Sequence, residues 1–197
     1  MRPLEAVVVG VSAGGLKALS RLLSYLPSDY SLPIIIVQHI LESSDSYLAE
    51  YLNTQVAIHV KEAIDKETIQ PHHVYLAPPG YHLLIEDDRS FSLSIDPKVN
   101  YSRPSIDVLF DSAAFAFQEA CVGVVLTGAN RDGSSGLRTI KESGGITIVQ
   151  DPETAEFPIM PQAAIDTVKV DYILSLDDIG KFLRQLHNLE RIHHSKN

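Results

Sequence analysis

Three side chains whose types fit acyl-transfer chemistry each follow an apolar run of this chain. Ser12 lies in Gly10-Val11-Ser12-Ala13-Gly14-Gly15, His39 follows Pro33–Val37, and Asp132 follows Val122–Leu126 by a few residues. A serine hydroxyl is a weak nucleophile at neutral pH. It needs a base beside it, and the base needs a group that orients it and steadies its charged form. Each residue also has a plainer use. Ser12 can equally be an N-cap before a helix, His39 can simply end a strand, and Asp132 can cap the helix that follows it. Asp151, after Ile146–Val149, is the runner-up for the acid.

The glycine turn has three possible uses. A dinucleotide site wants G-x-G-x-x-G, with a glycine where the backbone approaches the pyrophosphate. Here Ser12 holds that position, and Gln38-His39 stands where the ribose-binding acid belongs. A phosphate loop of the Walker type ends in Gly-Lys-Ser/Thr, which is absent. The third use, G-x-S-x-G, is a nucleophile elbow, in which a strained strand-to-helix turn exposes the hydroxyl. Gly10-Val11-Ser12-Ala13-Gly14 matches it fully. The chain order Ser, His, Asp differs from the Ser, Asp/Glu, His order of α/β-hydrolases, which argues against a lipase-like enzyme. Attack on a carbonyl makes an oxyanion that backbone N–H groups must stabilise, and the amide of Ala13 is placed for this at a helix N-terminus.

The elements that must position these residues follow from periodicity. Short β-branched runs alternate with amphipathic stretches, as in parallel strands joined by crossover helices. Strands are expected at Ala6–Val9, Pro33–Val37, Val56–Val60, Val122–Leu126, Ile146–Val149 and Tyr172–Leu174. Helices are expected from about Ala13, around Tyr47–Leu52, from Pro104 to Phe117, and over Leu137–Ser143, Gln162–Val168 and Ile179–Leu186. Val74–Ala77, His82–Ile85 and Phe91–Ile95, broken by Pro78-Pro79-Gly80 and Asp87-Asp88-Arg89, read as an antiparallel or irregular insertion. The fold class is therefore α/β, a modified doubly wound, mostly parallel sheet of Rossmann-like three-layer form, with a small antiparallel insertion in the middle. Residues 1–197 read as one domain, with a core of about 6–186 and a frayed polar tail over 187–197.

Composition limits the function. Sixteen basic against 25 acidic residues give a net charge of −9, which argues against general nucleic-acid binding, since that needs a basic face. The single cysteine, Cys121, forms no internal disulfide and no metal framework, so a reducing compartment is the simplest setting. No run approaches the roughly 20 apolar residues that span a bilayer, and the N-terminus lacks the marks of a signal peptide. The expectation is a cytoplasmic protein without membrane insertion.

With those residues in hand, the chain resembles the catalytic domain of the chemotaxis receptor methylesterase family. The resemblance rests on Gly10–Gly15, Gln38-His39, Tyr75-Leu76-Ala77-Pro78-Pro79-Gly80 with His82, Arg103–Phe110, Leu126-Thr127-Gly128 with Asp132-Gly133, and Met160-Pro161. It runs from about Val7 to Leu186. It implies hydrolysis of glutamate γ-methyl esters on the cytoplasmic helices of methylated chemoreceptors, releasing methanol, with deamidation of receptor glutamines as an associated activity. It implies Ser12 as nucleophile, His39 as base and then acid, Asp132 as the group that holds His39, and no metal or organic cofactor. It adds Ala129 as a second oxyanion donor and places Met160 among the substrate contacts. The family's loop reads Thr-Gly-Met-Gly-x-Asp-Gly, whereas this chain has Thr127-Gly128-Ala129-Asn130-Arg131-Asp132-Gly133. Arg131 adds a cation near the mouth, either meeting acidic receptor side chains or standing there without a role. Typical members carry a phospho-acceptor receiver domain ahead of the esterase, and this sequence starts at the esterase's first strand. Phosphorylation control within the chain is therefore not expected. The competing reading is a non-catalytic α/β adaptor or ligand-binding domain that kept the fold. Oligomeric state is not legible in the sequence.

Overall fold

The computed structural model describes residues 3–40 and 47–194. In chain order its elements are β1 (Ala6–Val11), α1 (Gly15–Leu23), β2 (Ile34–Gln38), α2 (Tyr47–Gln55), β3 (His59–Glu62), β4 (His73–Leu76), β5 (His82–Ile85) and β6 (Phe91–Ser94). They continue with α3 (Ile106–Phe117), β7 (Cys121–Val125), α4 (Ser134–Glu142), β8 (Ile146–Gln150), α5 (Ile159–Thr167), β9 (Tyr172–Leu174) and α6 (Leu176–His194). Short 3₁₀ turns fill 118–120 and 152–154. Seven strands form one parallel sheet in the order β3-β4-β2-β1-β7-β8-β9, and β5 and β6 form a separate antiparallel hairpin.

Strand periodicity explains the layers. In β1, Val7, Val9 and Val11 face one side, and Ala6 and Val8 the other. The first set joins α1 and α6 through Leu19, Leu22, Ile179 and Leu183, with Leu52 of α2. The second set joins α3, α4 and α5 through Leu109, Phe110, Leu137 and Ala164, and the hairpin adds Leu83, Ile85 and Phe91. Both faces of the central strands are covered, so β1, β2 and β7 read as continuous apolar runs rather than alternating ones. Each such Val, Leu or Ile contributes about 1.5–3 kcal/mol by burial.

The modified doubly wound sheet and its antiparallel insertion are as expected, but three details differ. Val74–Ala77 is not part of the insertion. Most of it is β4, a parallel strand of the main sheet between β3 and β2, where Val74 pairs with Ile34. Its two-sided burial, not its length, marks it as a sheet strand. The third strand lies at His59–Glu62, three residues later than the apolar run Val56–Val60 suggests. The helix α6 continues through His194, past the expected end of the core. His187 is buried in it, packs its ring at a tilt against Tyr30 and accepts the Ser31 N–H at Nδ1, 3.1 Å. Among the described residues no helix is long and apolar enough to cross a membrane.

Candidate active site

The strand order reverses at β1, which has β2 on one side and β7 on the other. A crevice opens beyond the carboxyl ends of parallel strands at such a switch point. Ser12 leaves β1 there, His39 leaves β2, and Thr127 to Asp132 leave β7. Val11 pairs with Gln38 and Gly10 with Val125, so the three exits stand side by side.

Ser12 itself is not strained. The left-handed residue of its turn is Gly14, with φ 78°, and it is also the cap of α1. The expected elbow strain therefore falls two residues later, on the residue type that adopts it at least cost. Nor is Ser12 a side-chain cap, because α1 has no such cap bond. Its hydroxyl faces His39. Next to the turn, Gln38 ties Ser12 to His39. Its Nε2 donates to Ser12 O at 2.9 Å and to His39 O at 3.0 Å. With the amide nitrogen fixed by two carbonyls, Gln38 Oε1 is left buried without a donor, packed over Gly15. A Cβ at Gly15 would lie 1.7 Å from that oxygen.

His39 Nδ1 lies 3.1 Å from Ser12 Oγ, and His39 Nε2 lies 2.8 Å from Asp132 Oδ2. The histidine side chain is 12% exposed and the aspartate 0%. In the serine-protease template the acid bonds Nδ1 and the nucleophile faces Nε2; here the ring is turned round. The tautomer follows from Asp132. Burial pushes its carboxyl up, but hydrogen bonds from His39, Asn100 and the Ile106 N–H outweigh this and hold it below the usual carboxylate range. The ionised group only accepts, so Nε2 carries the proton and Nδ1 offers its lone pair to Ser12 Oγ–H.

Asp132 is a cap after all, although not of the helix that follows it. It accepts Ile106 N–H at 2.7 Å and Asp107 N–H at 3.2 Å, the orphan donors at the start of α3. Ser105 Oγ donates to it as well, at 2.8 Å. Asp151 is occupied elsewhere, capping the 3₁₀ turn by accepting Glu153 N–H at 3.0 Å. Thr127 braces the other flank of the Ser12 turn: its Oγ1 donates to Ala13 O at 2.9 Å and accepts Phe157 N–H at 2.9 Å.

A cleft of about 1190 Å³ opens beside Ser12, between α1 and α2, and Ala13, Lys17, His39, Tyr47, Tyr51 and Glu156 are among its lining residues. Ala129 and Arg131, expected at the site, lie outside this lining and are exposed on the loop after β7. Met160 is a correction. It is 1% exposed, packs into the core over Gly128, whose carbonyl accepts its N–H at 3.0 Å, and lies outside the cleft lining rather than on it. No group of His, Cys, Asp and Glu among the described residues is arranged to hold a metal ion. Sequence reasoning missed the roles of Gln38, Asn100, Ser105, Asp107 and Thr127. Four of the five lie inside the quoted motifs, but apart from Asn100 and Asp107, seven residues apart, their partners are 23 or more residues away or on the backbone.

Residues 7–183 match the family model described as CheB methylesterase. A putative protein-glutamate methylesterase/protein-glutamine glutaminase of Leptospira interrogans is 51% identical over 189 residues, 95% of this chain and 98% of that protein. A protein-glutamate methylesterase/protein-glutamine glutaminase of Clostridium acetobutylicum is 40% identical over 90% of this chain, which spans 51% of that relative's length. The crystal structure of the Thermotoga maritima CheB methylesterase catalytic domain superposes with a TM-score of 0.89 at 34% identity, covering 93% of this chain and 98% of that one.

Proposed function

Because the chain belongs to the CheB methylesterase family, we propose that it is a cytoplasmic serine hydrolase that removes γ-methyl esters from glutamates of chemoreceptor cytoplasmic helices. We propose too that it deamidates receptor glutamines by the same route. The observation that carries the reading is His39, within hydrogen-bond distance of both Ser12 Oγ and the buried Asp132 carboxylate.

The chemistry follows from that arrangement. Ser12 Oγ attacks the ester carbonyl as His39 Nδ1 takes its proton, and Asp132 stabilises the imidazolium through Nε2–H. The tetrahedral oxyanion is met by backbone N–H groups, with Ala13 and Ala129 as the proposed donors; neither N–H has a hydrogen-bond acceptor among the described residues. Collapse breaks the ester C–O bond, and methanol leaves with the proton from His39 Nδ1. The γ-glutamyl ester on Ser12 is then hydrolysed by a water that gives its proton to the same nitrogen, releasing the glutamate carboxylate. For a glutamine, ammonia is the first leaving group. Arg131 is kept as a docking cation for acidic receptor side chains.

A non-catalytic adaptor is the weaker reading, since a binding module has no use for an aligned hydroxyl, imidazole and carboxylate. The test is methanol release from methylated receptor membranes by wild type and Ser12→Ala. The variant is expected to lose nearly all activity while keeping its fold by circular dichroism. Equal release from both would sink the assignment.

A further inference from the structure

The catalytic acid candidate has a second buried carboxylate for a neighbour. Asp107, in the first turn of α3, is 8% exposed, and its Oδ1 accepts Gly136 N–H in the first turn of α4 at 2.7 Å. Asp132, just before α4, in turn accepts the first N–H groups of α3. The two helices cap each other in trans. Their own cap residues, Ser105 and Gly133, make no side-chain cap bond. Each aspartate gains from the positive end of the partner helix, yet the arrangement sets two carboxylates face to face out of water. Burial pushes Asp107 up and the charge of Asp132 adds to it.

One side chain joins the pair from outside both helices. Asn100 Nδ2 donates to Asp107 Oδ2 at 2.7 Å and to Asp132 Oδ1 at 2.8 Å, using its two hydrogens on two acceptors. It sits on an exposed tight turn. Val99 and Ser102 exchange backbone hydrogen bonds at 3.1 and 2.9 Å, and Asn100 and Tyr101 between them both have positive φ, 50° and 63°.

We propose that Asn100 is a positioning residue of the hydrolytic site, its amide bridging Asp132 and Asp107 so that Asp132 stays charged and aimed at His39 Nε2. The role rests on the reading of Ser12, His39 and Asp132 as the reacting set. Asp132 Oδ1 keeps Ser105 Oγ–H at 2.8 Å and Asp107 N–H at 3.2 Å without the amide, but those bonds hold Asp132 alone, whereas the amide spans both carboxylates. His39 occupies Asp132 Oδ2, Asp111 adds a like charge near Asp107, and His82 Nδ1 is taken by Ser105 N–H at 3.2 Å. Without the amide, two buried carboxylates face each other with one donor fewer apiece. The pair relieves this by holding a proton at a pH where it is now charged. A protonated Asp132 no longer steadies the imidazolium.

Asn100→Gly isolates the amide, because glycine adopts φ 50° freely and keeps the turn. Hydrolysis of p-nitrophenyl acetate is followed from pH 2.5 to 8, with ¹³C titration of the aspartate carboxyls in the same 197-residue chain over the same range. The acidic limb of kcat and the Asp132 titration should both move up by about one pH unit, as a charge-assisted hydrogen bond implies. KM should stay within about twofold, since the amide touches no substrate. Asn100→Ala, which keeps a Cβ but lacks the amide, should give the same two shifts. Unmoved carboxyl titrations in both variants, whatever the loss of turnover, would overturn the proposal. Wild-type hydrolysis by Ser12→Ala would instead remove the hydrolase reading, leaving the carboxyl titrations to decide the role of Asn100.

Discussion

At the scale of residues, the site is a chain of donors and acceptors with one consistent direction. The charge on Asp132 fixes the Nε2 proton, and that leaves Nδ1 unprotonated to take one from Ser12 at 3.1 Å, with Asn130 Nδ2 a longer 3.4 Å away. Asp132→Asn breaks the logic at its first step. The variant should fold but lose kcat on the order of 10⁴-fold, as when a triad acid is made neutral. If Asp151→Asn causes the larger loss, the acid is misassigned. The same group links the site to stability. Its folded pKa is depressed, so its contribution is fully present above the unfolded value of about 3.9 and is lost as pH falls through the lower folded value. Urea unfolding at pH 7 should show wild type more stable than Asp132→Asn by about 1–3 kcal/mol, and the gap should shrink at pH 3. A gap that persists unchanged at pH 3 would mean that the charge is not its source.

At the scale of elements, precision comes from helix termini and strand ends rather than from loops. Capping of α3 by Asp132 and of α4 by Asp107 locks two helices to the end of β7, and Gln38 locks β2 to the turn after β1. The last helix supplies an element-scale test. The polar composition of 187–197 reads as a frayed tail, but α6 carries His187 into the first core layer beside Tyr30. His187→Ala removes the acceptor of Ser31 N–H and the ring packing. It should lower stability by about 1–3 kcal/mol and the melting temperature by several degrees, with kcat unchanged. No change in melting would show that the terminal turns of α6 carry no load.

At the scale of the whole molecule, the parallel sheet buries its central strands on both faces, and Cys121 at the start of β7 is 0% exposed. Burial alone pushes its thiol up to about 12, so it should react with a thiol reagent only on unfolding; rapid labelling of the native chain would contradict this packing. The sequence by itself determined the α/β class and most strands and helices, and it singled out Ser12, His39 and Asp132 as candidates that the fold brings together, because local periodicity and short motifs record which residues face the core and which end a strand. It misread β4, since a four-residue apolar run does not say whether its neighbours are parallel. It ended α6 at Leu186, because His187, buried beside Tyr30, follows among polar residues. Nor does it show that Met160 is buried, which depends on an approach to Gly128 from 32 residues away. Only the tertiary structure decided that His39 presents Nδ1 to Ser12, that Asp132 caps α3 rather than α4, and that Asn100 joins two buried carboxylates. Those facts are relations between residues far apart in the chain, set by how the helices pack at the end of β7, and no local pattern carries them.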